Sequence, residues 1–410
     1  MSGRDPHETD RAATPLELLF DLTFATAFGL AATMFAQVLA EGRYGAAFLG
    51  FSFASFAICW AWVNFTWFAS AYDTDDWIFR LTTMVQMTGV LVVTLGLPRL
   101  FASIEHGARL DNRLMVIGYV IMRVAMVFQW LRAAKQDPSR RRSCLTYAIT
   151  FSIAQAGWVI QILGGFSAPA VVVLTVLLLV VELACPAIAE RKDGGTPAGE
   201  DASARLTGTP WNAYHIVERY SCFAIIALGE GVVGAVAALS AVVQEQGWSV
   251  NAALVCVAGV GLTFGMWWIY YMLPSAMALH AHRNRAFGWA YGQMVAVTSI
   301  VAMGAGLRVA ALFIEHKARI GPLATMLTVA IPVVIYVGSM YALHFYLARR
   351  IDPYHVRLLI ATAVIVIGAV TAALLHVNMA VCLLILMLAP VVTVVAYEMG
   401  DRRETEAGEK

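Results

Sequence analysis

Charge is scarce in this chain. Only 13% of its 410 residues are Asp, Glu, Lys or Arg, and 60% are hydrophobic, whereas soluble domains contain about 25% charged residues. This composition excludes an ordinary soluble domain. It indicates a polytopic membrane protein whose first partner is the lipid bilayer.

The signatures of a soluble catalytic domain are also missing. No Walker A motif, Rossmann glycine fingerprint, HExxH or GxSxG occurs. The six cysteines show no CxxC spacing, so neither a disulfide framework nor a metal site is indicated. The few lysines lie outside the apolar runs, which argues against a retinal Schiff base: Lys135, Lys192, Lys317 and Lys410. We therefore predict no catalytic residue, no cofactor, no metal and no nucleic-acid partner.

Twelve apolar runs are long enough to cross a bilayer, which takes about 20 residues. They cover 16–40, 47–72, 77–101, 113–132, 144–165, 168–189, 214–242, 250–273, 286–312, 322–347, 356–375 and 378–398. The first run is too long for the core of a signal peptide, so we interpret it as a span. The predicted fold is an all-α integral membrane protein.

Basic residues indicate the orientation, because Lys and Arg favour the cytoplasmic side. Outside the spans they lie mainly on the side that holds both termini. The opposite side carries Arg43, Arg109, Arg113, Lys317 and Arg319. Both termini are therefore predicted in the cytoplasm, with the protein in a bacterial cytoplasmic (inner) membrane.

The two halves of the chain resemble each other. Matching positions are Asp137 and Asp352, Arg142 and Arg357, Trp60 and Trp267, Gln86 and Gln293, and Pro186 and Pro390. We infer two six-helix membrane repeats, 1–190 and 210–400, joined by a cytoplasmic linker at 191–209 and followed by a cytoplasmic tail at 401–410. An even number of spans makes the repeats parallel, as in some transporters. Glu17 then matches Glu218.

Glu17 and Asp21 lie four residues apart in the first span. Thr14-Pro15-Leu16-Glu17 has the pattern of a capping box with proline at the first helical position, so capping alone would explain Glu17. Asp21 lies one turn deeper, where a like charge at i+4 is unfavourable. Either one acid is protonated or a cation sits between them.

Glu230, near the centre of the seventh span, is the strongest single candidate, because an ionisable group at that depth is costly unless it faces a cavity or a partner. Flanking glycines would allow close helix approach or a local break. The alternative is a structural lock between Glu230 and Arg99, Arg123 or Arg308. Glu218 and Arg219 stand at the cytoplasmic end of the same span.

Buried arginines are the expected counter-charges. Arg99 and Arg308 occupy similar places near the outer ends of their spans, where such side chains also reach to the interface. Arg123 and Glu182 lie deeper and could form a pair. Gln86 and Gln293, matched by the repeat, are predicted to line a central path, whereas other polar residues in the spans are expected to form interhelical hydrogen bonds.

A short acidic loop follows the second span. It contains Asp73, Thr74, Asp75, Asp76 and Arg80. Acids and threonine at a helix start favour capping, and a weak site for a hard cation is the alternative.

Three separated stretches, "LELLFDLTFA", "NFTWFASAYDTDD...RLTTMVQMTGVL" and "HIVERYSCFAIIALGEGVV", resemble the bacterial low temperature requirement protein A family over about residues 14–395. The resemblance implies importance for Glu17, Phe20, Asp21, Asp73, Thr74, Asp75, Asp76, Arg80, Glu218, Arg219, Tyr220, Gly229 and Glu230. The family name records a cold-growth trait, so the resemblance implies a membrane class without a chemistry.

A second similarity concerns the opening helix, which resembles the Phe-Ser-Asp helix of potassium channels that repeat six helices twice. The serine is absent from Leu19-Phe20-Asp21, and Ser221-Cys222 stand where the second repeat would need its aspartate.

Three functions remain open on the sequence. The first is an ion- or proton-coupled transporter of an unidentified small solute or ion, with Glu17, Asp21, Glu218 and Glu230 as carriers. The second is a passive cation channel. The third is a membrane-embedded enzyme, lipid-handling protein or structural protein of cold adaptation. Each is compatible with a homo-oligomer.

Overall fold

The computed structural model of the protein describes residues 3–6, 8, 11–105, 111–166, 168–190, 208–273, 275–349 and 353–408. Within these ranges the chain forms α-helices, two short 3-10 turns and no strand. The predicted all-α class is therefore confirmed.

Thirteen α-helices follow one another along the described ranges. They are α1 (Pro15–Ala40), α2 (Tyr44–Tyr72), α3 (Trp77–Glu105), α4 (Arg113–Gln136), α5 (Arg141–Leu163), α6 (Ala168–Ala189), α7 (Ala213–Gln246), α8 (Val250–Tyr271), α9 (Ser275–Ala281), α10 (Ala286–Ile314), α11 (Pro322–Ala348), α12 (Pro353–Leu374) and α13 (Met379–Gly408). The 3-10 turns are Pro138–Arg140 and Arg283–Arg285.

Twelve of these helices are long and apolar enough to cross a membrane, the same number as the predicted spans. The short helix α9 was not predicted, because seven residues make too brief a run to stand out. The last helix is longer than its predicted span and continues through the predicted tail as far as Gly408.

Local signals explain several helix ends. Gly42 (φ 81°) and Gly247 (φ 67°) follow α1 and α7 in the left-handed conformation, which glycine adopts without strain. Ser249 caps α8, because its hydroxyl accepts a hydrogen bond from the Ala252 amide. Pro322 follows Gly321 at the first position of α11.

Contacts divide the chain into two compact units. The first contains Met1–Ala27 and Phe56–Arg219, and the second contains Phe28–Ser55 and Tyr220–Lys410. In the first unit α3, α4, α5 and α6 pack in chain order, and in the second α10, α11, α12 and α13 do the same. The division into two repeats stays a prediction, and most of the predicted linker, residues 191–207, lies outside the described residues.

Candidate functional site

The first helix contributes two acids to a completely buried cluster of four ionisable side chains and one tryptophan, which we call the acid–base cluster: Glu17, Asp21, His215, Arg219 and Trp62. Its centre is an ion pair. The two terminal nitrogens of Arg219 donate to the carboxylate oxygens of Asp21 at 2.9 and 2.7 Å, and the Trp62 indole N–H donates to Asp21 at 2.7 Å. Arg219 therefore supplies a cation to the two acids, which is one of the two alternatives considered for them.

Glu17 forms the predicted helix cap and also belongs to the acid–base cluster. Its Oε2 accepts a hydrogen bond from the Thr14 amide at 2.8 Å, and its own amide donates to the Thr14 hydroxyl at 3.3 Å, so the capping box is formed. The same Oε2 lies 3.2 Å from Nε2 of His215, and Oε1 lies 3.8 Å from Nε of Arg219. The carboxylate that caps α1 is therefore the same one that contacts His215 inside the cluster.

Helix geometry brings the cluster together. Glu17 and Asp21 stand four residues apart on α1, and His215 and Arg219 stand four apart on α7, so each pair lies on one helix face. Both contacts join residues 198 positions apart. Phe20 lies between the acids in sequence and packs its ring 3.8 Å from that of Phe65, measured between centroids.

The segment before α1 lies against the end of α2. Arg11 donates to the carbonyls of Ala69 and Ser70 at 2.9 and 2.5 Å, and the Asn212 side chain donates to the Glu8 carbonyl at 2.6 Å. Burial, together with the charge of Arg4, lowers the pKa of Arg11 to about 10. This buried guanidinium therefore caps the carbonyl end of a helix.

A second buried cluster surrounds Glu182, and we call it the Glu182 cluster. One carboxylate oxygen accepts hydrogen bonds from Trp60, Tyr119 and Arg123 at 2.5, 2.7 and 2.9 Å. The other accepts from Trp158 at 3.0 Å. The pair considered between Arg123 and Glu182 exists, and donors from α2, α4 and α5 hold the acid of α6.

Glu230 pairs with Arg308, one of the three arginines considered for it. Nη2 of Arg308 lies 2.6 Å from Glu230. Its Nη1 donates to the Gly29 carbonyl at 3.2 Å and to the Thr33 hydroxyl. The guanidinium thus bridges α10 to α7 and to the second half of α1.

Small residues make this close approach possible. A Cβ on Gly304 would come within 2.4 Å of the Glu230 carbonyl, and one on Gly234 within 2.3 Å of the Gly304 carbonyl. The expectation that glycines next to Glu230 allow tight helix packing is met on α7 and α10. A Cβ on Gly229 would meet no atom within 4 Å.

The acidic loop between α2 and α3 is a set of caps and ion pairs. Asp76 accepts from the Phe79 amide at 2.9 Å and pairs with Arg132 of α4, while Thr74 donates to it at 2.9 Å. The hydrogen bond from Arg132 lowers the pKa of Asp76 well below its usual range. Asp76 is therefore the cap of α3.

The other two acids of the loop differ in exposure. Arg80 binds Asp75 through two hydrogen bonds of 2.9 and 2.7 Å, with both side chains exposed, and this contact lowers the pKa of Asp75. Asp73 accepts from the Asp75 amide at 2.8 Å, and burial raises its pKa, as does the charge of Glu17. Among the described residues, no group of three or more His, Cys, Asp or Glu side chains is placed to hold a metal ion.

The remaining predicted residues lie in different surroundings. Gln86 donates to Gln129 at 3.0 Å. Gln86 and Gln293 are both buried, and the amide oxygen of each accepts no hydrogen bond from the part of the chain that the structure describes. Glu218 is exposed and accepts only a long hydrogen bond, 3.4 Å, from the Ala13 amide among the contacts described. Arg99 is exposed, as expected for a side chain that reaches to an interface.

Sequence reasoning missed several members of these clusters: His215, Trp62, Trp60, Trp158, Tyr119 and Arg11. A signal for His215 was available, because the i and i+4 spacing of His215 and Arg219 repeats that of Glu17 and Asp21. The tryptophans gave no such signal, since an indole in an apolar run looks like a packing residue until its N–H is placed.

Comparison with known proteins bears directly on the family. A family model for the bacterial low temperature requirement A protein (LtrA) matches residues 12–393. The uncharacterized protein RA0937 of Rhizobium meliloti (strain 1021) is 28% identical over 259 residues, which are 62% of this chain and 57% of that protein. The chain thus spans little more than half the length of that relative, and no solved structure matches at a significant level. Over nearly its whole length, this chain belongs to the bacterial low temperature requirement A protein family.

Proposed function

We propose that the protein is a multi-pass transporter of the bacterial cytoplasmic membrane, with both termini in the cytoplasm, that couples movement of a small solute or ion to protons. The observation that carries this proposal is the acid–base cluster. Its four ionisable side chains are completely buried, yet their charges do not cancel without one added proton.

The charges of the acid–base cluster do not sum to zero when His215 is neutral. Glu17 and Asp21 contribute two negative charges, and Arg219 contributes one positive charge. Among the described residues, Arg11 and Asp73 also interact electrostatically with Glu17, and together they add one charge of each sign. A proton held between Glu17 and His215 brings the sum to zero.

This proton is one that the cluster can exchange. An uncompensated buried charge costs several kcal/mol, so the cluster favours the protonated form until another cation or a change of packing replaces the proton. Buried acids that alternate between such states are what proton coupling requires. The Glu17 carboxylate and the His215 imidazole are in contact, so one can accept the proton and the other can carry it.

The geometry gives less support to a passive cation channel. That alternative relied on the aspartate of the opening helix. Both carboxylate oxygens of Asp21 accept hydrogen bonds from Arg219, which leaves this acid poorly placed to coordinate a passing cation. The transporter is therefore the preferred function.

The proposal retains two parallel repeats. Under the predicted alignment α2 and α6 correspond to α8 and α13, and both pairs are in contact. Trp60 of α2 binds Glu182 of α6, and Gly265 of α8 packs against Pro390 of α13. This shared pairing supports the repeat.

Proton flux into proteoliposomes tests the proposal. We expect the wild type to dissipate an imposed pH gradient faster than empty vesicles. Asp21→Asn and His215→Gln should slow this flux at least about tenfold, the effect of about 1.4 kcal/mol on a rate. Glu245→Gln, a substitution at the exposed end of α7, is the matched control and should leave the flux unchanged.

Two results would contradict this function. One is a wild-type flux no faster than that of empty vesicles under any solute gradient. The other is unchanged flux in Asp21→Asn and His215→Gln protein whose melting temperature shows it to be folded. The latter outcome would assign the acid–base cluster to stability alone.

A further inference from the structure

An apolar groove of about 430 Å³ lies along α8 and α13. Its floor runs past Gly261 and Gly265, which stand one turn apart on α8. A Cβ on Gly265 would come within 2.7 Å of Pro390, and one on Gly261 within 2.2 Å of the Met387 sulfur. Because these glycines have no side chain, the two helices approach closely and a groove remains open beside the contact.

The groove opens away from the protein interior. Phe264, Val395 and Met399 line it and are 52%, 50% and 56% exposed. All three belong to helices that are apolar enough to cross a membrane. In the proposed membrane these side chains face lipid, so the occupant of the groove comes from the bilayer.

The surface of the groove is apolar, and one acid stands beside it. Glu398 lines the groove in the last turn of the apolar part of α13, and its exposed carboxylate accepts a hydrogen bond from the Trp268 indole N–H at 3.2 Å. Tryptophan favours the level of the lipid headgroups. A carboxylate at that level attracts an ammonium group and repels a phosphate that carries net negative charge.

We propose that this groove binds a phospholipid with a primary-amine headgroup. One acyl chain lies along α8 and α13, and the ammonium group contacts Glu398, which offers it charge-assisted hydrogen bonds. The zwitterionic phosphatidylethanolamine class fits this chemistry. The inference needs the membrane placement of the chain but does not depend on proton coupling.

Native mass spectrometry of the purified full-length protein tests the site, with phosphatidylethanolamine, phosphatidylcholine and phosphatidylglycerol of identical acyl chains as probes. We expect the wild type to retain phosphatidylethanolamine about tenfold more tightly than the other two, as for one ion pair of about 1.4 kcal/mol. Glu398→Gln should bring the three lipids to equal retention while the groove remains open.

A second variant tests the groove itself. Val395→Phe fills it from an exposed position and should lower retention of all three lipids. Val236→Phe, at a position of α7 that is 60% exposed, is the matched control and should behave like the wild type. Equal retention of the three lipids by the wild type would overturn the headgroup assignment. Retention in Val395→Phe equal to that in Val236→Phe would overturn the site.

Discussion

Two buried acid clusters in the first unit differ in how completely their charges are paired. In the Glu182 cluster one carboxylate meets one guanidinium, and three further donors occupy its oxygens. In the acid–base cluster two carboxylates share one guanidinium and an imidazole. A carboxylate whose charge is matched by one guanidinium and whose oxygens are all hydrogen-bonded has no reason to exchange a proton. An acid that shares its guanidinium with a second acid can gain or lose one.

The surroundings of the two clusters reinforce this difference. Arg123 lies over the rings of Tyr119 and Phe151, with its central carbon 4.7 and 4.3 Å from their centroids. Such cation–π contacts stabilise the buried guanidinium. We infer that the Glu182 cluster locks α2, α4, α5 and α6 together, and that the acid–base cluster is the one suited to chemistry.

The largest effect is expected on breaking the saturated cluster. Glu182→Gln leaves Arg123 buried without its counter-charge, and arginine cannot release its proton. Removing one partner of a buried pair costs about 3–5 kcal/mol. We expect a loss of that size in the free energy of unfolding, measured by chemical denaturation, with the flux per folded molecule unchanged.

The matched control removes both charges. The double variant Glu182→Gln with Arg123→Met should recover most of the lost stability, because an apolar replacement of a buried pair is often close to neutral. If Glu182→Gln has the same free energy of unfolding as the wild type, the ion pair does not stabilise the packing of these helices.

A smaller stability loss is expected from Arg219→Gln. The stranded Glu17 and Asp21 can take up protons, so the cost falls to about 1–3 kcal/mol, typical of unsatisfied buried polar groups. These protons are held in the folded state and released on unfolding at neutral pH, so the deficit should grow as pH rises from 5 to 8. Chemical denaturation at several pH values measures this slope.

For this prediction the control is Arg99→Gln, at an exposed arginine of α3. It should change the unfolding free energy by less than about 0.5 kcal/mol. A deficit in Arg219→Gln that is the same at pH 5 and pH 8 would mean that the two acids stay ionised without their partner.

The smallest effect is expected at the acidic loop, where an acid is paired but partly exposed. The lowered pKa of Asp76 means that its contribution is present above about pH 4, the ordinary value of an aspartate, and is lost as pH falls through the lowered value. Asp76→Ala should therefore cost about 1 kcal/mol at pH 7 and flatten the acid dependence of unfolding. Asp75→Asn, whose ion pair with Arg80 is exposed, should cost less than about 1 kcal/mol.

Equal losses in the two loop variants would show that helix capping contributes nothing beyond an exposed ion pair. The three predictions compare carboxylates whose oxygens are fully hydrogen-bonded, carboxylates that share one guanidinium, and carboxylates that are partly exposed. We expect the loss of stability to decrease in that order.

Sequence patterns predicted much of the architecture because they report on local physics. Twelve apolar runs are twelve helices, since a bilayer-length hydrophobic run has few other folds. The cap at Glu17 and the cap at Asp76 involve residues three positions apart, as the local motifs require. The pairing of Arg123 with Glu182 was foreseeable because so few charges lie deep in the spans.

Partner choice could not be obtained in the same way, because it depends on which helix faces meet. Glu218 was favoured by the repeat, but the neighbouring His215 and Arg219 point to the acids and Glu218 is exposed. Three candidate arginines for Glu230 could not be ranked until α10 was placed beside α7. Neutral donors such as Trp62 carry no charge pattern at all.

The distance in sequence between Asp21 and Arg219 has a consequence for how the protein is made. The two residues are 198 positions apart, and a ribosome takes about 10–40 s to synthesise that length at 5–20 residues per second. During that interval α1 has left the ribosome with two carboxylates and no guanidinium to neutralise them. The first helix therefore reaches its final place only after the seventh has been synthesised, and a nascent chain that stops at the sixth helix is left with its opening helix unfinished.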